Sequence, residues 1–159
     1  MPDQAFFAEY DDVYIFKFVG GLHFTLCPAV EGFMRRLFTE QTMRPVVVDM
    51  TGATGVDSTG MGILAQIAIH SKRMLQVKPT LLVSDRNIPK ILKAMDFEKI
   101  FTILQGDGTA GADFEEIKSV AAGDNEMTQH IVAAHRRLMN MSPDNKAKFE
   151  QVIKVIEKK

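Results

Sequence analysis

The chain has 159 residues, 46% of them apolar, with 19 basic against 20 acidic side chains and a net charge of -1; this suits one core with an appendage and argues against a direct nucleic-acid footprint. No apolar run approaches the roughly 20 residues that a membrane-spanning helix needs, and the first residues lack the basic and apolar regions of a secretory signal, so a cytoplasmic location is expected. Cys27 is the one cysteine, which leaves no internal disulfide and no cysteine cluster for a metal.

Phe6 to Tyr10 and Val13 to Val19 read as strands, and Asp11-Asp12 between them as a two-residue hairpin turn. Gly20-Gly21 reads as the end of the second strand. From Thr25 to about Phe38, Leu26, Val30, Phe33, Met34 and Leu37 recur at helical spacing, with Pro28 in the first turn. Pro45 opens a strand from Val46 to Met50, whose β-branched start suits burial on both faces. A helix is expected from Ser58 to about Leu75, a short strand from Thr80 to Ser84, and a short helix with Ile88, Ile91, Leu92 and Met95 after Asp85-Arg86-Asn87. Ile100 to Leu104 reads as the last strand. The order β-β-α-β-α-β-α-β predicts an α/β fold with parallel crossovers and an antiparallel edge hairpin.

Glycines mark residues 106–112 as a linker. Beyond it the pattern is helical. Asp113 to Ala122 is a weakly periodic helix candidate. Met127, Ile131, Ala134, Leu138 and Met141 form one apolar stripe, and Phe149, Val152, Ile153 and Ile156 a second, with Ser142-Pro143 as a helix start between them. The expected organisation is a domain over 1–105, a linker over 106–112 and a C-terminal helical hairpin over 113–159. Its stripes suit packing on its own domain, and are also suited to a partner arm or a dimer contact.

The most informative stretch lies between the third strand and the helix that follows. Asp57 or Ser58 is placed as N-cap, where a side-chain oxygen accepts from free backbone N–H groups. A hydroxyl there sits in a positive local field, and a phosphate would find unpaired donors. Gly60 and Gly62 let another backbone approach closely. This stretch resembles the signature of STAS-domain proteins, the anti-sigma factor antagonists of bacteria: an apolar strand ending in Asp, a loop, then Asp-Ser-(Ser/Thr)-Gly-(Leu/Ile/Met)-Gly opening a helix. Asp49 matches the strand end, and Asp57, Ser58, Thr59, Gly60, Met61 and Gly62 match the helix start. The resemblance covers roughly residues 6–105.

The resemblance implies a STAS-like mixed sheet and a non-catalytic switch without a cofactor or metal. Its partners would be an anti-sigma factor, in many cases a serine kinase, and a serine phosphatase. Binding of the anti-sigma factor would free a sigma factor. Phosphorylation would fall on Ser58, with Thr59 as a secondary candidate, and the partner would contact His23, Asp57, Ser58, Thr59, Gly60, Met61 and Gly62. His23 departs from the pattern, since many family members carry an acid where this chain has Gly20-Gly21-Leu22-His23. The alternative from a different class is a STAS-type scaffold or sensor module without sigma control.

Other chemistries fit less well. Asp49-Met50-Thr51-Gly52 suggests an aspartate-nucleophile phosphatase, but such an enzyme needs a lysine and further carboxylates for Mg²⁺, and beyond Asp85 the last strand offers none until Asp107. A phosphate loop lacks its Gly-Lys-(Ser/Thr). Serine hydrolysis lacks Gly-x-Ser-x-Gly, and His23, His70, His130 and His135 are scattered and read as solvated or partner-facing.

Overall fold

A computed structural model describes residues 2–40, 42–84, 87–109, 111–118 and 122–157. Strands β1 (Gln4–Tyr10) and β2 (Val13–Leu22) form the expected antiparallel hairpin. Its turn residues Asp11 and Asp12 both have positive φ, 50° and 62°. Paired left-handed residues match the twist of the strands they join, and aspartate tolerates that region. Helix α1 (Cys27–Glu40) then crosses to β3 (Val46–Val56), which runs parallel to β2.

β2 and β3 are both longer than expected. Gly20-Gly21 does not end β2, and β3 does not stop at Met50. The glycine-bearing ends pair with each other, Val19 with Gly52 and Gly21 with Gly55, through two register shifts. Bulges of this kind are where glycine serves a strand. Gly20 has φ +77°, and a Cβ there would sit 2.8 Å from the Pro2 carbonyl oxygen.

Helix α2 (Ser58–Leu75), strand β4 (Thr80–Val83), helix α3 (Asn87–Ala94), a 3-10 turn over Phe97–Lys99 and strand β5 (Thr102–Gln105) complete the expected series. Asp85 and Arg86 lie outside the described residues. β3, β4 and β5 are parallel.

The helix expected over Asp113 to Ala122 is corrected: Glu115–Ile117 form a strand, β6, antiparallel to β1. The sheet therefore has six strands in the order β5-β4-β3-β2-β1-β6. Residues beyond Gln105 cross the whole sheet to supply its far edge, which overturns the expectation that every strand precedes the linker. Ala110 and residues 119–121 lie outside the described residues.

Helices α4 (Asp124–Met139) and α5 (Pro143–Glu157) form the expected C-terminal pair. Ser142 caps α5, its Oγ accepting from the Asn145 N–H at 3.1 Å. Ala134 and Leu138 of the first stripe are fully buried and Ile153 of the second is 5% exposed; the side chains of Val152 and Ile156 lie outside those described. The core joins Phe16, Phe18, Val48 and Leu81 of the sheet to Val30 and Met34 of α1, Leu64 and Ile67 of α2, and Leu92 of α3. Leu138 belongs to this cluster too. Among the described residues, no helix is long and apolar enough to cross a membrane.

Candidate functional site

The strand-to-helix turn at Asp57 is built by two backbone bonds to one carboxylate. Asp57 is the N-cap of α2, in extended conformation, and its Oδ1 accepts from Gly60 N–H at 2.7 Å. Its Oδ2 accepts from Phe24 N–H at 2.8 Å. Asp57 N–H in turn donates to the Leu22 carbonyl at 3.1 Å. The residue thus ties the end of β2 and the loop after it to the start of α2. Asp57→Ala should lower stability by about 2 kcal/mol, the upper end for a lost cap, because two backbone donors lose their acceptor. Ser58→Ala should cost less, since Ser58 is not the cap. Urea denaturation of the two variants compares them.

Ser58 is the first residue of α2. Its Oγ lies 2.6 Å from His135 Nε2 of α4. The reading of all four histidines as solvated or partner-facing is corrected here. His135 is 5% exposed and stacks on Phe149 of α5, with centroids 5.1 Å apart. Burial holds its pKa below the ordinary histidine value, against a smaller upward pull from Asp57, so the imidazole facing Ser58 is neutral at neutral pH. His130 Nδ1 lies 2.6 Å from a Glu31 carboxylate oxygen, both side chains largely buried, and His70 stacks on Phe38 at 4.3 Å. His23 is half-buried, its side chain 45% accessible.

A hydroxyl beside a neutral imidazole is the first half of a nucleophile–base pair. The second half, an acceptor that orients the imidazole, is absent among the described residues: His135 Nδ1 is buried without a partner. The pair therefore lacks the third group of a hydrolytic triad.

The remaining predicted contact residues gather at this helix start, but not on an open surface. Thr59 and Met61 are 4% and 7% exposed. Gly60 faces β2, where a Cβ would overlap the Leu22 carbonyl oxygen. Gly62 faces α4, where a Cβ would overlap Ala134. The two glycines thus serve two close approaches, one to the sheet and one to the C-terminal hairpin. His23 sits at the neighbouring loop with Nδ1 2.8 Å from Asp3 Oδ2. Asp3 also accepts from Gly21 N–H at 2.8 Å, and that bond first, then His23, holds its pKa below the ordinary carboxylate value. The negative charge missing at position 23 is thus supplied beside it from the N-terminal residues. Nothing in the local sequence pattern signals Asp3.

Asp49, at the end of the stretch of β3 that pairs with β4, is fully buried. Thr51 donates to Oδ1 from its N–H (2.9 Å) and hydroxyl (2.6 Å), and Thr109 donates to Oδ2 from its N–H (2.9 Å) and hydroxyl (2.6 Å). Burial alone would raise the Asp49 pKa, but the bonds from Thr109 and Thr51 outweigh it and lower it. Asp49 holds the crossing loop over the sheet. A carboxylate saturated in this way has no oxygen presented for attack on phosphorus.

The model of the STAS domain matches residues 7–109, and the chain belongs to the STAS domain family. STAS domains are found in anti-sigma factor antagonists and in other regulatory modules. The match ends at the Thr109 latch, so β6, α4 and α5 lie beyond it. No curated protein matches the chain.

Proposed function

We propose that the chain is an anti-sigma factor antagonist in a partner-switching pathway. It binds an anti-sigma factor of the serine-kinase type and so frees a sigma factor; the kinase phosphorylates Ser58, and a serine phosphatase restores binding. The observation that carries this reading is the position of Ser58 as first residue of α2, directly after its Asp57 cap, in a chain of the STAS family. Phosphate on this serine adds nearly two negative charges and three acceptor oxygens. In a fitted interface, beside the Asp57 carboxylate, that charge opposes docking. A penalty of about 3 kcal/mol weakens binding roughly a hundredfold, enough for a switch.

Two measurements test it. Peptide mapping of the chain isolated from its native cells should place phosphate on the peptide containing Asp57, Ser58 and Thr59. Phosphate confined to Thr59, itself buried, or to another region would sink the assignment. Affinity capture should retain a kinase-type partner on Ser58→Ala and lose most of it on Ser58→Glu. Equal recovery of partners that include no anti-sigma factor would favour the scaffold reading.

A further inference from the structure

The α4–α5 hairpin is seated on the face that carries Ser58. At its centre, Ala134 lies against Gly62 and His135 against the Ser58 hydroxyl. To one side, the buried Glu31 carboxylate of α1 meets His130 at 2.6 Å and Arg137 at 3.4 Å. At the far end, Asn145 Nδ2 donates to the Met95 carbonyl at 2.9 Å and Lys148 Nζ to the Ala94 carbonyl at 2.7 Å. The hairpin covers the surface that a partner reading Ser58 and Gly62 needs.

We infer that this hairpin is a built-in occupant of the docking face, and that it competes there both with the partner and with a phosphoryl group on Ser58; the second half rests on the reading of Ser58 as the modified residue. Phosphoryl transfer from a nucleoside triphosphate forms a bond from Ser58 Oγ to phosphorus, breaks the bond to the nucleoside diphosphate and releases the hydroxyl proton to the kinase's base. The product replaces one hydrogen by a tetrahedral group with three oxygens. At 2.6 Å there is no room for that group between Oγ and His135 Nε2. A phosphoryl group in that position and the seated His135 therefore exclude one another.

The seat is also suited to release. Buried His135 Nδ1, Arg137 Nη1 and Asn145 Oδ1 have no partner among the described residues. Seating leaves these groups without a protein partner, and lifting the hairpin opens them to solvent. The closest approach of α4 to α2 is at a glycine and an alanine, so Leu138, further along α4, is the large side chain that must leave the core when the hairpin lifts. Unmodified, the chain binds its partner with an affinity reduced by the fraction of hairpins seated.

Hydrogen exchange on the full chain tests this with two alterations. In one, phosphoserine is installed at position 58 during synthesis. In the other, Ala134→Leu wedges the seat from the hairpin side and leaves Ser58 and the domain face unchanged. Each should speed exchange across α4 about tenfold or more, with β2 and β3 as protected as in the unaltered chain. Unchanged protection of α4 in the phosphoserine chain would overturn competition with phosphate. Unchanged protection in Ala134→Leu would overturn Gly62 as the seat. Loosening of β2 and β3 together with α4 would show the hairpin to be an inseparable part of the core, which also overturns the inference. None of these outcomes depends on where native phosphate falls, so failure of the Ser58 assignment would be seen separately by peptide mapping.

Discussion

A chain ending at Gln105 should melt far below one ending at Lys118. Both lack the hairpin, so the comparison isolates residues 106–118. The shorter chain loses β6, which pairs with Ala5, Phe6 and Phe7 of β1 and buries Ile117 to 7% exposure. It also loses Thr109, and with it two of the bonds to the buried Asp49 carboxylate. Hydrogen bonds to a charged group contribute about 1.5–3 kcal/mol each, so the deficit is at least about 3 kcal/mol, or roughly 15 °C for a domain of this size. The gap should depend on pH. In the longer chain the Asp49 pKa is lowered, so its contribution is present above the ordinary carboxylate pKa and fades as pH falls through the lowered value. Without Thr109, burial has less opposition and that pKa rises. The difference is therefore largest at neutral pH and narrows in acid. Thermal melts at pH 7 and pH 3 measure it; equal melting of the two chains at pH 7 would show that the Thr109 latch and β6 add nothing.

Gly60→Ala should destabilise the whole domain, while Gly62→Ala should loosen only the hairpin. Alanine improves helix propensity at both positions by about 1 kcal/mol. At position 60 the added carbon overlaps the Leu22 carbonyl oxygen and sits 2.9 Å from Leu22 Cγ. That oxygen is held by its bond from Asp57 N–H, so the helix start must shift off the sheet. Overpacking against fixed backbone exceeds the propensity gain, and a net loss of about 2 kcal/mol is expected. At position 62 the obstruction is Ala134, on a hairpin that can lift. Denaturation combined with hydrogen exchange separates the two: a global loss for Gly60→Ala, and faster exchange confined to α4 and α5 for Gly62→Ala. Equal, global losses would mean that both glycines face fixed structure.

Local features of the site were legible from residue order because local physics makes them. The cap at Asp57 bonds a residue three positions on. The periodicity of α2 and the β-branched start of β3 need no distant partner, and the STAS resemblance rested on that same stretch. What escaped was long-range. His135 meets Ser58 across 77 positions, and Thr109 meets Asp49 across 60. No spacing rule predicts either. Glu115-Glu116-Ile117 is too short for alternation to register and is a strand because β1 has an open edge to pair. Gly20-Gly21 misled for a related reason. A glycine pair commonly ends a strand, but here the neighbouring strand carries glycines at matching positions and the two continue together through shifts in register.

The place of β6 has a consequence for synthesis on the ribosome. β1 is made before β2 and can pair with it once both have left the ribosome. Its other edge waits for Glu115 to Ile117, which arrive only after every other strand of the sheet. Until then, the nascent protein therefore presents free backbone donors and acceptors along Ala5, Phe6 and Phe7. Such an edge is a template for any passing strand. Chains released before Glu115 carry that edge permanently, and two of them can extend one another into a continuous sheet, whereas the finished protein closes it with its own last strand.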